Sequence, residues 1–297
     1  SYPLWRRMPV IGPPNGRVSL RRYQHWIPKR PHAIGRLFYE TSWLASASRG
    51  LVSGRCDAVI GVIPSLSGGV LAWLAALRFR VPFGLVFQDL MGLSALQSGY
   101  PGGIRTSGVI AVLERFLATR ADQVAIISEG FRPYLEENGV KASRIVEVRN
   151  WVRTAASTDM PEATRRRLGW RDTDFVCLHA GNMGQKQGLE NLLDAARLLD
   201  GTGIRVVLAG AGNDRIRLME RSQAMALQNV DFLGIQAEGE YQAMLRAADV
   251  LLLNQRVSVA DMALPSKLGS YFAACRPIVA AVAPDSNAGR LLARIGA

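Results

Sequence analysis

The chain has 297 residues, of which 48% are hydrophobic and 20% charged, a composition that excludes a disordered protein. At about 150 residues per domain, this length predicts two domains with a core in each. The three cysteines lie far apart in sequence, which excludes a disulfide framework and a C-x-x-C metal or redox motif. A reducing, cytoplasmic compartment fits this cysteine usage.

Positive charge is concentrated near the beginning of the sequence. Lysine and arginine number 36 against 24 aspartate and glutamate, which gives a net charge of +12. The basic residues that precede Glu40, with no acidic residue among them, are Arg6, Arg7, Arg17, Arg21, Arg22, Lys29, Arg30 and Arg36. This block favours an anionic partner: membrane phospholipid, nucleic acid or a phosphorylated substrate. A solvated basic face without a partner is the alternative.

The first half of the sequence predicts helices that alternate with strands. A helix is expected from Ile34 to about Leu51, and apolar runs predict strands at 57–63, 83–88, 122–127 and 145–149. Because these runs are apolar throughout, they favour a parallel sheet covered on both faces. The uncharged stretch Ala58–Leu77 could nominally span a bilayer, but proline and glycine interrupt it, so we predict a strand, a turn and a helix.

A break in this alternation predicts the domain boundary. The stretch 150–165 is polar and contains Pro161, which favours the first turn of a helix. The strands predicted beyond it are 174–179, 204–209, 230–233, 249–253 and 277–282, and the helices are 187–200, 213–227, 238–247, 266–274 and 287–295. Such βαβ alternation predicts two Rossmann-like α/β domains, 1–150 and 151–297, that face a cleft.

Two loops of the second domain could bind an anion. The loop after strand 174–179 contains Gly181, Asn182 and Lys186 directly before a helix, where glycine N–H groups, the helix dipole and a lysine would together attract a diphosphate. It lacks the P-loop pattern, and a plain glycine-rich turn is the alternative. Before helix 266–274, Ser266 is a candidate N-cap. Lys267 opposes the helix dipole unless an anion binds, although it could be an ordinary surface lysine.

Other polar groups are weaker candidates. Asp89 ends strand 83–88, where a carboxylate could accept a proton from a substrate hydroxyl or could cap a helix. Ser128 similarly follows strand 122–127 and could cap helix 129–138. His179 is interpreted as a core histidine.

Two motifs resemble functional signatures but do not match them. Gly210-Ala211-Gly212 lacks the third glycine of a dinucleotide fingerprint. Asp172-Thr173-Asp174 resembles a metal-binding D-x-D motif, but it precedes a strand and is interpreted as a polar turn.

Six motifs together resemble one enzyme family. They are F-Q-D-L at 87–90, I-S-E-G-F at 127–131, R-N-W at 149–151, G-N-M-G-Q-K-Q-G-L-E at 181–190, L-P-S-K at 264–267 and R-P-I-V at 276–279. Across nearly the whole chain the sequence resembles family-4 GT-B glycosyltransferases. It resembles most the branch that includes the colanic acid fucosyltransferase and the N-acetyl-L-fucosamine transferases of bacterial surface polysaccharides.

This resemblance implies a UDP- or GDP-sugar donor, no metal or other cofactor, and retention of anomeric configuration. The donor-binding residues that it implies are Gly181, Asn182, Lys186, Phe232, Leu233, Ser266 and Lys267. The base would lie near the main chain of 232–234, and a lipid-linked or other glycan acceptor would lie near Asp89. Many members carry an arginine where this chain has Asn182, and a Glu-x7-Glu pair whose positions fall near Met262 and Ser270. Recognition of the ribose by glutamate is therefore not assigned.

The resemblance also implies a membrane location. Acceptors in this branch are commonly sugars on a lipid diphosphate, so the N-terminal basic residues would attract anionic headgroups while Trp5 and Trp26 lie at the interface. We therefore expect a peripheral protein on the inner face of the plasma membrane, with no nucleic-acid partner. Family members begin with a strand and a Gly-rich loop, and end with a helix pair, that this chain lacks, so we expect it to be truncated at both ends.

Two other functions remain open. A nucleotide-sugar 2-epimerase has the same two-domain architecture and needs no lipid acceptor. A basic, non-enzymatic protein that binds membrane or nucleic acid is compatible with the sequence pI of about 10.3, although no nucleic-acid module is recognisable.

Overall fold

The computed structural model describes residues 21–27, 33–51, 55–90, 92, 103–151, 160–257 and 265–295. Two all-parallel sheets organise these residues, one in each half of the chain. The first half contains α1 (Ala33–Ala47), β1 (Val59–Ile63), α2 (Leu66–Phe79), β2 (Phe83–Phe87), α3 (Gly103–Arg120), β3 (Gln123–Ile126), α4 (Arg132–Glu137) and β4 (Ile145–Glu147).

The second half of the chain also alternates helices with strands. It contains α5 (Pro161–Arg167), β5 (Phe175–Ala180), α6 (Glu190–Leu198), β6 (Ile204–Ala209), α7 (Arg215–Ala224), β7 (Val230–Leu233), α8 (Glu238–Ala247), β8 (Val250–Asn254), α9 (Lys267–Ala274), β9 (Ile278–Ala281) and α10 (Asn287–Arg294). Every predicted strand is therefore present, and its ends differ from the predicted ones by at most two residues.

Three predicted helices are shorter than expected because 3₁₀ turns replace part of them. The helix from Ile34 ends at Ala47 and continues as the 3₁₀ turn Ser48–Leu51. Helix 129–138 begins with the turn Glu129–Phe131. Helix 187–200 begins only at Glu190, since Gly188 adopts a left-handed conformation with φ of 58° after the turn Gln185–Gln187.

The uncharged stretch at 58–77 forms β1 and most of α2, as predicted. The side chain of Ser65 caps α2 by accepting a hydrogen bond of 3.0 Å from the N–H of Gly68. No helix in the described part of the chain is long and apolar enough to cross a membrane.

The first sheet has the strand order β1-β2-β3-β4. One face packs against α2 and α3, where Ile63, Leu85 and Leu117 are fully buried. On the other face Ile60 is 67% exposed and Val62 49% exposed. The prediction of a sheet covered on both faces is therefore wrong for this domain within the described residues. Continuous apolar runs predict burial but do not reveal how many faces are covered.

The second sheet has the order β7-β6-β5-β8-β9, a doubly wound arrangement with β5 at its centre. Separate apolar clusters fill its two faces, one around Leu178 and Tyr271 and the other around Leu193 and Leu218. The chain moves outward from β5 to β7, then returns to β8 on the other side of β5. The reversal opens a crevice beyond the carboxyl ends of β5 and β8.

The two halves also contact each other directly. Pro161 occupies the first turn of α5, as predicted. At the end of the described chain, the first residue of α10, Asn287, is buried, and its Oδ1 lies 3.3 Å from the hydroxyl of Ser128. Ser128 also caps the turn that follows it, as one of its two interpretations predicted. The boundary between 150 and 151 remains a prediction, since residues 152–159 lie outside the described ones.

Candidate active site

The crevice between β5 and β8 is the position where open α/β sheets bind ligands. Asn254, the last residue of β8, is buried there and ties the neighbouring loop in place. Its Nδ2 donates to the carbonyl oxygens of Gln187 and of Gly188, the latter at 2.9 Å, and its Oδ1 accepts from Asn191. The loop after β5 is thus anchored by the side chain that ends β8.

Lys267 reaches this loop from the first residue of α9. A Cβ atom added to Gly181 would lie 3.5 Å from Cε of Lys267 and 3.6 Å from its Nζ, so the lysine passes directly beside the glycine. Gly181 has φ of 140°, in the region that favours glycine. Burial lowers the pKa of Lys267 to about 8. Its positive charge is therefore held where water does not fully solvate it, a position that an anion would stabilise.

His179, the residue before the last one of β5, lies beneath Lys267. Its Nε2 is 3.2 Å from Nζ of Lys267, and its side chain is fully buried. Burial, and then the charge of Lys267, lower the pKa of His179 to about 3. The interpretation as a core histidine is confirmed by its burial, but sequence reasoning missed its contact with a candidate site residue.

The glycines of the loop after β5 have a different role from the predicted one. The N–H of Gly181 donates to Ala209, that of Met183 to Ala211 and that of Gly184 to the Gln187 side chain. These N–H groups are therefore engaged within the protein, and the prediction that the glycines donate to an anion is wrong for them. Positive charge in this site comes from lysine side chains.

The motif Gly210-Ala211-Gly212 explains the close packing. A Cβ added at Gly212 would overlap the carbonyl oxygen of Met183, and one at Gly210 would overlap that of Gly181. The loops that follow β5 and β6 therefore pack backbone against backbone. The motif at 210–212, which only partly matches a dinucleotide fingerprint, therefore supports the loop after β5.

Lys186 is exposed in the turn Gln185–Gln187, and its carbonyl oxygen accepts from the N–H of Arg256 at 3.0 Å. Arg256 also pairs with Glu190, the first residue of α6. The expected positive end of a helix directly after Lys186 is therefore absent, because α6 begins four residues later with an acidic first turn. Lys186 itself supplies the charge.

Asp89 lies on the other side of the cleft, just beyond β2. Burial raises the pKa of Asp89, and the charge of Lys186 partly opposes that rise. The electrostatic contact between the two shows that the end of β2 in the first domain faces the loop after β5 in the second. The structure thus brings together Asp89, Lys186 and the region of Gly181 that the sequence proposed.

Glu114 is a further buried carboxylate near Asp89 that sequence reasoning missed. Its Oε2 accepts from the N–H of Gly92 at 2.9 Å and from the hydroxyl of Tyr134 at 3.0 Å. It therefore anchors the chain three residues after Asp89. A glutamate within the apolar pattern of α3 is the sequence signal that could have revealed it.

Family models match both halves of the chain. Residues 3–151 match a glycosyl transferase 4-like domain, and residues 161–284 match the glycosyl transferases of group 1. The chain belongs to this glycosyltransferase family. The predicted GT-B fold, two parallel-sheet α/β domains facing a cleft, is confirmed by solved structures of the same architecture.

Individual relatives agree with this assignment. The glycosyltransferase is 29% identical to a protein of Escherichia coli K12 named as a colanic acid biosynthesis glycosyl transferase, WcaI, over 92% of this chain and 69% of that protein. HepE of Anabaena, solved with UDP and glucose, superposes with a TM-score of 0.65 at 18% identity and covers 88% of this chain. The sucrose-phosphate synthase of Thermosynechococcus elongatus superposes with a TM-score of 0.71 at 16% identity, over 89% of this chain. The chain spans 66% of the HepE chain and 65% of the synthase.

The remaining predicted donor residues lie at the rim of this crevice or farther along the same sheet. Ser266 is exposed immediately before α9, and its side chain makes no capping hydrogen bond. Phe232 and Leu233 end β7, two strands away from β5, and their side chains pack against the apolar clusters. Asn182 is exposed at the rim of the loop, and its Nδ2 approaches Gly184.

Other predicted features lie away from the crevice. Asp174 precedes β5 and is buried among Arg171 and Arg205, which confirms the interpretation of its motif as a structural turn. Among the described residues, no cluster of three His, Cys, Asp or Glu side chains could hold a metal ion. The expectation of a metal-free reaction remains a prediction. The residues of the basic block and its aromatic partner that lie outside the described part are Trp5, Arg6, Arg7, Arg17, Lys29 and Arg30.

Proposed function

We propose that this glycosyltransferase moves a sugar from a nucleotide-diphosphate donor to a glycan acceptor in the synthesis of a bacterial surface polysaccharide. The observation that supports this most is a pair of lysines at the switch point of the second sheet: Lys267 lies beside Gly181, and Lys186 interacts electrostatically with Asp89 of the first domain. Two cations on one side of a cleft and a carboxylate on the other match a donor diphosphate and an acceptor hydroxyl.

The donor diphosphate would lie between the two lysines, next to Gly181. Its negative charge would stabilise the ammonium of Lys267, which burial otherwise disfavours. Asn182 and Ser266 are exposed beside this position and would donate hydrogen bonds to phosphate or sugar oxygens. The base would contact the main chain near Phe232 and Leu233, because their side chains face the core. The solved relative HepE, bound to UDP, supports a nucleotide donor.

Transfer would break the bond between the anomeric carbon and the diphosphate oxygen and form a bond to the acceptor oxygen. Lys186 and Lys267 would stabilise the charge that develops on the leaving diphosphate. The acceptor hydroxyl would lose its proton to a departing phosphate oxygen, with retention of configuration, while Asp89 accepts a hydrogen bond that orients the acceptor. No metal enters this proposal.

The name of the colanic acid relative supports a role in the synthesis of a bacterial polysaccharide. The family resemblance of the motifs at 181–190 and 264–267 favours a hexosyl or N-acetylhexosaminyl donor and a lipid-linked acceptor. An exposed surface on the first domain supports a membrane location. Trp26 and Phe38 pack edge to face with centroids 6.2 Å apart, Leu37 and Phe38 are each at least 60% exposed, and Arg21 and Arg22 lie exposed nearby. Apolar and basic groups together suit an anionic membrane surface on the cytoplasmic side.

Calorimetry with UDP, GDP and their fucosyl, glucosyl and N-acetylhexosaminyl conjugates tests the donor site. We expect Lys186→Ala and Lys267→Ala each to weaken binding of the preferred nucleotide by about tenfold or more, as loss of a charged hydrogen bond does. Lys141→Ala is the matched control. This exposed lysine lies before β4, an edge strand of the first sheet, and not in the loops of the candidate site. Unchanged affinity in both site variants would contradict the placement of the diphosphate.

Product analysis tests the reaction class. A transferase forms its glycosylated product only when an acceptor is present. An isomerised nucleotide-sugar formed without an acceptor would instead identify a 2-epimerase. We expect Asp89→Asn to lower turnover while the donor dissociation constant stays within about twofold, because Asp89 lies on the acceptor side. Sedimentation with vesicles tests the membrane surface: equal binding to neutral and anionic vesicles would exclude the electrostatic contribution.

A further inference from the structure

The α9 helix that carries Lys267 is fixed to the centre of the second sheet. Tyr271 lies one turn after Lys267 on the same side of α9, and it is fully buried. Its hydroxyl lies 3.0 Å from the N–H of Ala180 in β5 and 3.3 Å from the carbonyl oxygen of Leu252 in β8. The backbone from which Lys267 extends is therefore set by both strands that border the crevice.

The lysine side chain still has four rotatable bonds beyond this fixed backbone. A lysine near a protein surface ordinarily extends its ammonium into water, where it is strongly hydrated. Here the ammonium instead turns inward, 3.2 Å from Nε2 of His179 and beside Gly181. The contact with His179 offsets part of the lost hydration, and the lowered pKa of Lys267 shows that the rest is left for an anion to offset.

The protonation state of His179 fits that role. Nε2 accepts a hydrogen bond from the ammonium only when the imidazole is neutral with its proton on Nδ1. With its pKa lowered to about 3, the imidazole stays neutral over the physiological range. A neutral acceptor orients the lysine without cancelling its positive charge, whereas a carboxylate in this place would compete with a bound anion.

We propose that His179 is a positioning residue for donor binding: it holds the ammonium of Lys267 beside Gly181, directed at the diphosphate. This inference rests on the proposed function, in which Lys267 binds the diphosphate of a nucleotide-sugar. The contact joins the end of β5 to the first turn of α9 and is made possible by the adjacency of β5 and β8.

This arrangement predicts that the affinity for the donor depends on pH. Since the pKa of Lys267 is about 8, donor affinity should decline as the pH rises through that value. Among the described residues, His179 from β5 contacts the lysine, and α9 and α8 contribute the titratable groups Tyr271 and Tyr241, whose pKa values burial raises. None of these three gains or loses a proton between about pH 7 and 9. Removal of the acceptor on His179 should lower the pKa of Lys267 further and move the decline to lower pH.

Two substitutions of similar polarity separate positioning from structural support. In His179→Gln the side-chain amide reaches the position of Nε2 and offers an acceptor to Lys267. In His179→Asn the amide ends near the position of Nδ1 and does not reach the lysine. Both place an uncharged amide in the same buried strand, so a purely structural requirement for imidazole would affect both alike.

The experiment measures the dissociation constant of UDP or GDP, whichever the wild-type chain binds, at intervals between about pH 7 and 9. We expect His179→Asn to weaken binding about tenfold near pH 7 and to shift the decline to lower pH, while His179→Gln stays within about threefold and keeps the wild-type profile. Lys267→Met should bind weakly with a flat profile. Comparison with one nucleotide cancels the titration of the ligand itself.

Thermal unfolding of each variant reports folding separately. Equal losses of affinity in His179→Gln and His179→Asn, with an unshifted pH profile, would show a structural role and overturn the inference. Wild-type affinity in His179→Asn would overturn it as well. Absence of nucleotide binding by the folded wild-type chain would instead contradict the proposed function, and the inference with it.

Discussion

The two sheets are built from similar apolar runs, yet the described residues cover them differently. In the second sheet β5, β6 and β8 are buried on both faces over most of their length. In the first sheet burial alternates along β1 and β2, so that Ile63 is buried while Val62 is half exposed. The apolar character of a strand therefore shows that it belongs to a core, and only packing shows whether one face or both are covered.

The loops that carry the candidate site differ in the same way. In the second domain the loops after β5 and β6 pack backbone to backbone at Gly210 and Gly212. In the first domain the chain after Asp89 is held by a side chain, through the contact of Glu114 with Gly92. The side of the cleft formed by the second domain is therefore fixed by main-chain packing, and the side formed by the first domain by a buried carboxylate.

A methyl group added between the second-domain loops should have the largest effect on stability. Gly212→Ala would place Cβ against the carbonyl oxygen of Met183. Residue 183 cannot move away without breaking the hydrogen bond that its N–H donates to the carbonyl oxygen of Ala211. We expect a loss of about 3 kcal/mol or more in the free energy of unfolding, measured by urea denaturation. In the first domain, Gly69→Ala meets the movable end of Leu117 at 2.8 Å, and a gain in helix propensity offsets part of the overlap, so the change should stay within about 1 kcal/mol.

Gly239→Ala is the control for both variants. No atom lies within 4 Å of the Cβ that it adds in α8, so it should stabilise the protein by up to about 1 kcal/mol. If Gly212→Ala cost no more than Gly69→Ala, the two domains would tolerate added volume equally, and the contrast between backbone and side-chain packing would be wrong.

Ion pairs should show the next largest difference between the domains. Asp174 accepts two hydrogen bonds of 2.8 Å from Arg171 and lies 3.4 Å from Arg205, with its carboxylate almost fully buried. Asp174→Asn should cost about 2 to 3 kcal/mol at neutral pH. Glu129 pairs with Arg132 at the surface of the first domain, so Glu129→Gln should change stability by no more than about 0.5 kcal/mol.

The pH dependence of the Asp174 effect has a definite sign. Burial raises the pKa of Asp174, but the hydrogen bonds and charges of Arg171, with the charge of Arg205, outweigh it and hold that pKa below its usual value. The carboxylate therefore stabilises the fold above its unfolded pKa of about 3.9, and this contribution is lost as the pH falls through the lower folded value. The difference between wild type and Asp174→Asn should shrink below about pH 4. A constant difference from neutral to acidic pH would show that packing, not charge, explains the loss.

Much of the fold was predictable because each strand has a local signal. Apolar runs located every strand, and the βαβ alternation placed the candidate site in the loops that follow the strands, where glycine and lysine singled out the loop after β5. Nothing local in the sequence predicted the contact between His179 and Lys267, since they are 88 residues apart and meet only because β8 lies beside β5. Asn254 did have a local signal, a polar residue at the end of an apolar strand. The breaks in the predicted helices depend on local backbone geometry, such as the left-handed Gly188, that periodicity does not describe.

The smallest expected effect tests the contrast between the sheets most directly. Val207 in β6 is fully buried, whereas Val62 in β1 is 49% exposed. Valine and threonine have nearly the same shape, so the substitution mainly adds a hydroxyl. Val207→Thr would bury that hydroxyl and should cost about 1 to 2 kcal/mol, whereas Val62→Thr keeps it hydrated and should stay within about 0.5 kcal/mol. Urea denaturation of the two variants measures this directly. A cost at Val62 as large as that at Val207 would mean that the open face of the first sheet is covered in solution, and the difference between the two domains would then lie in their loops alone.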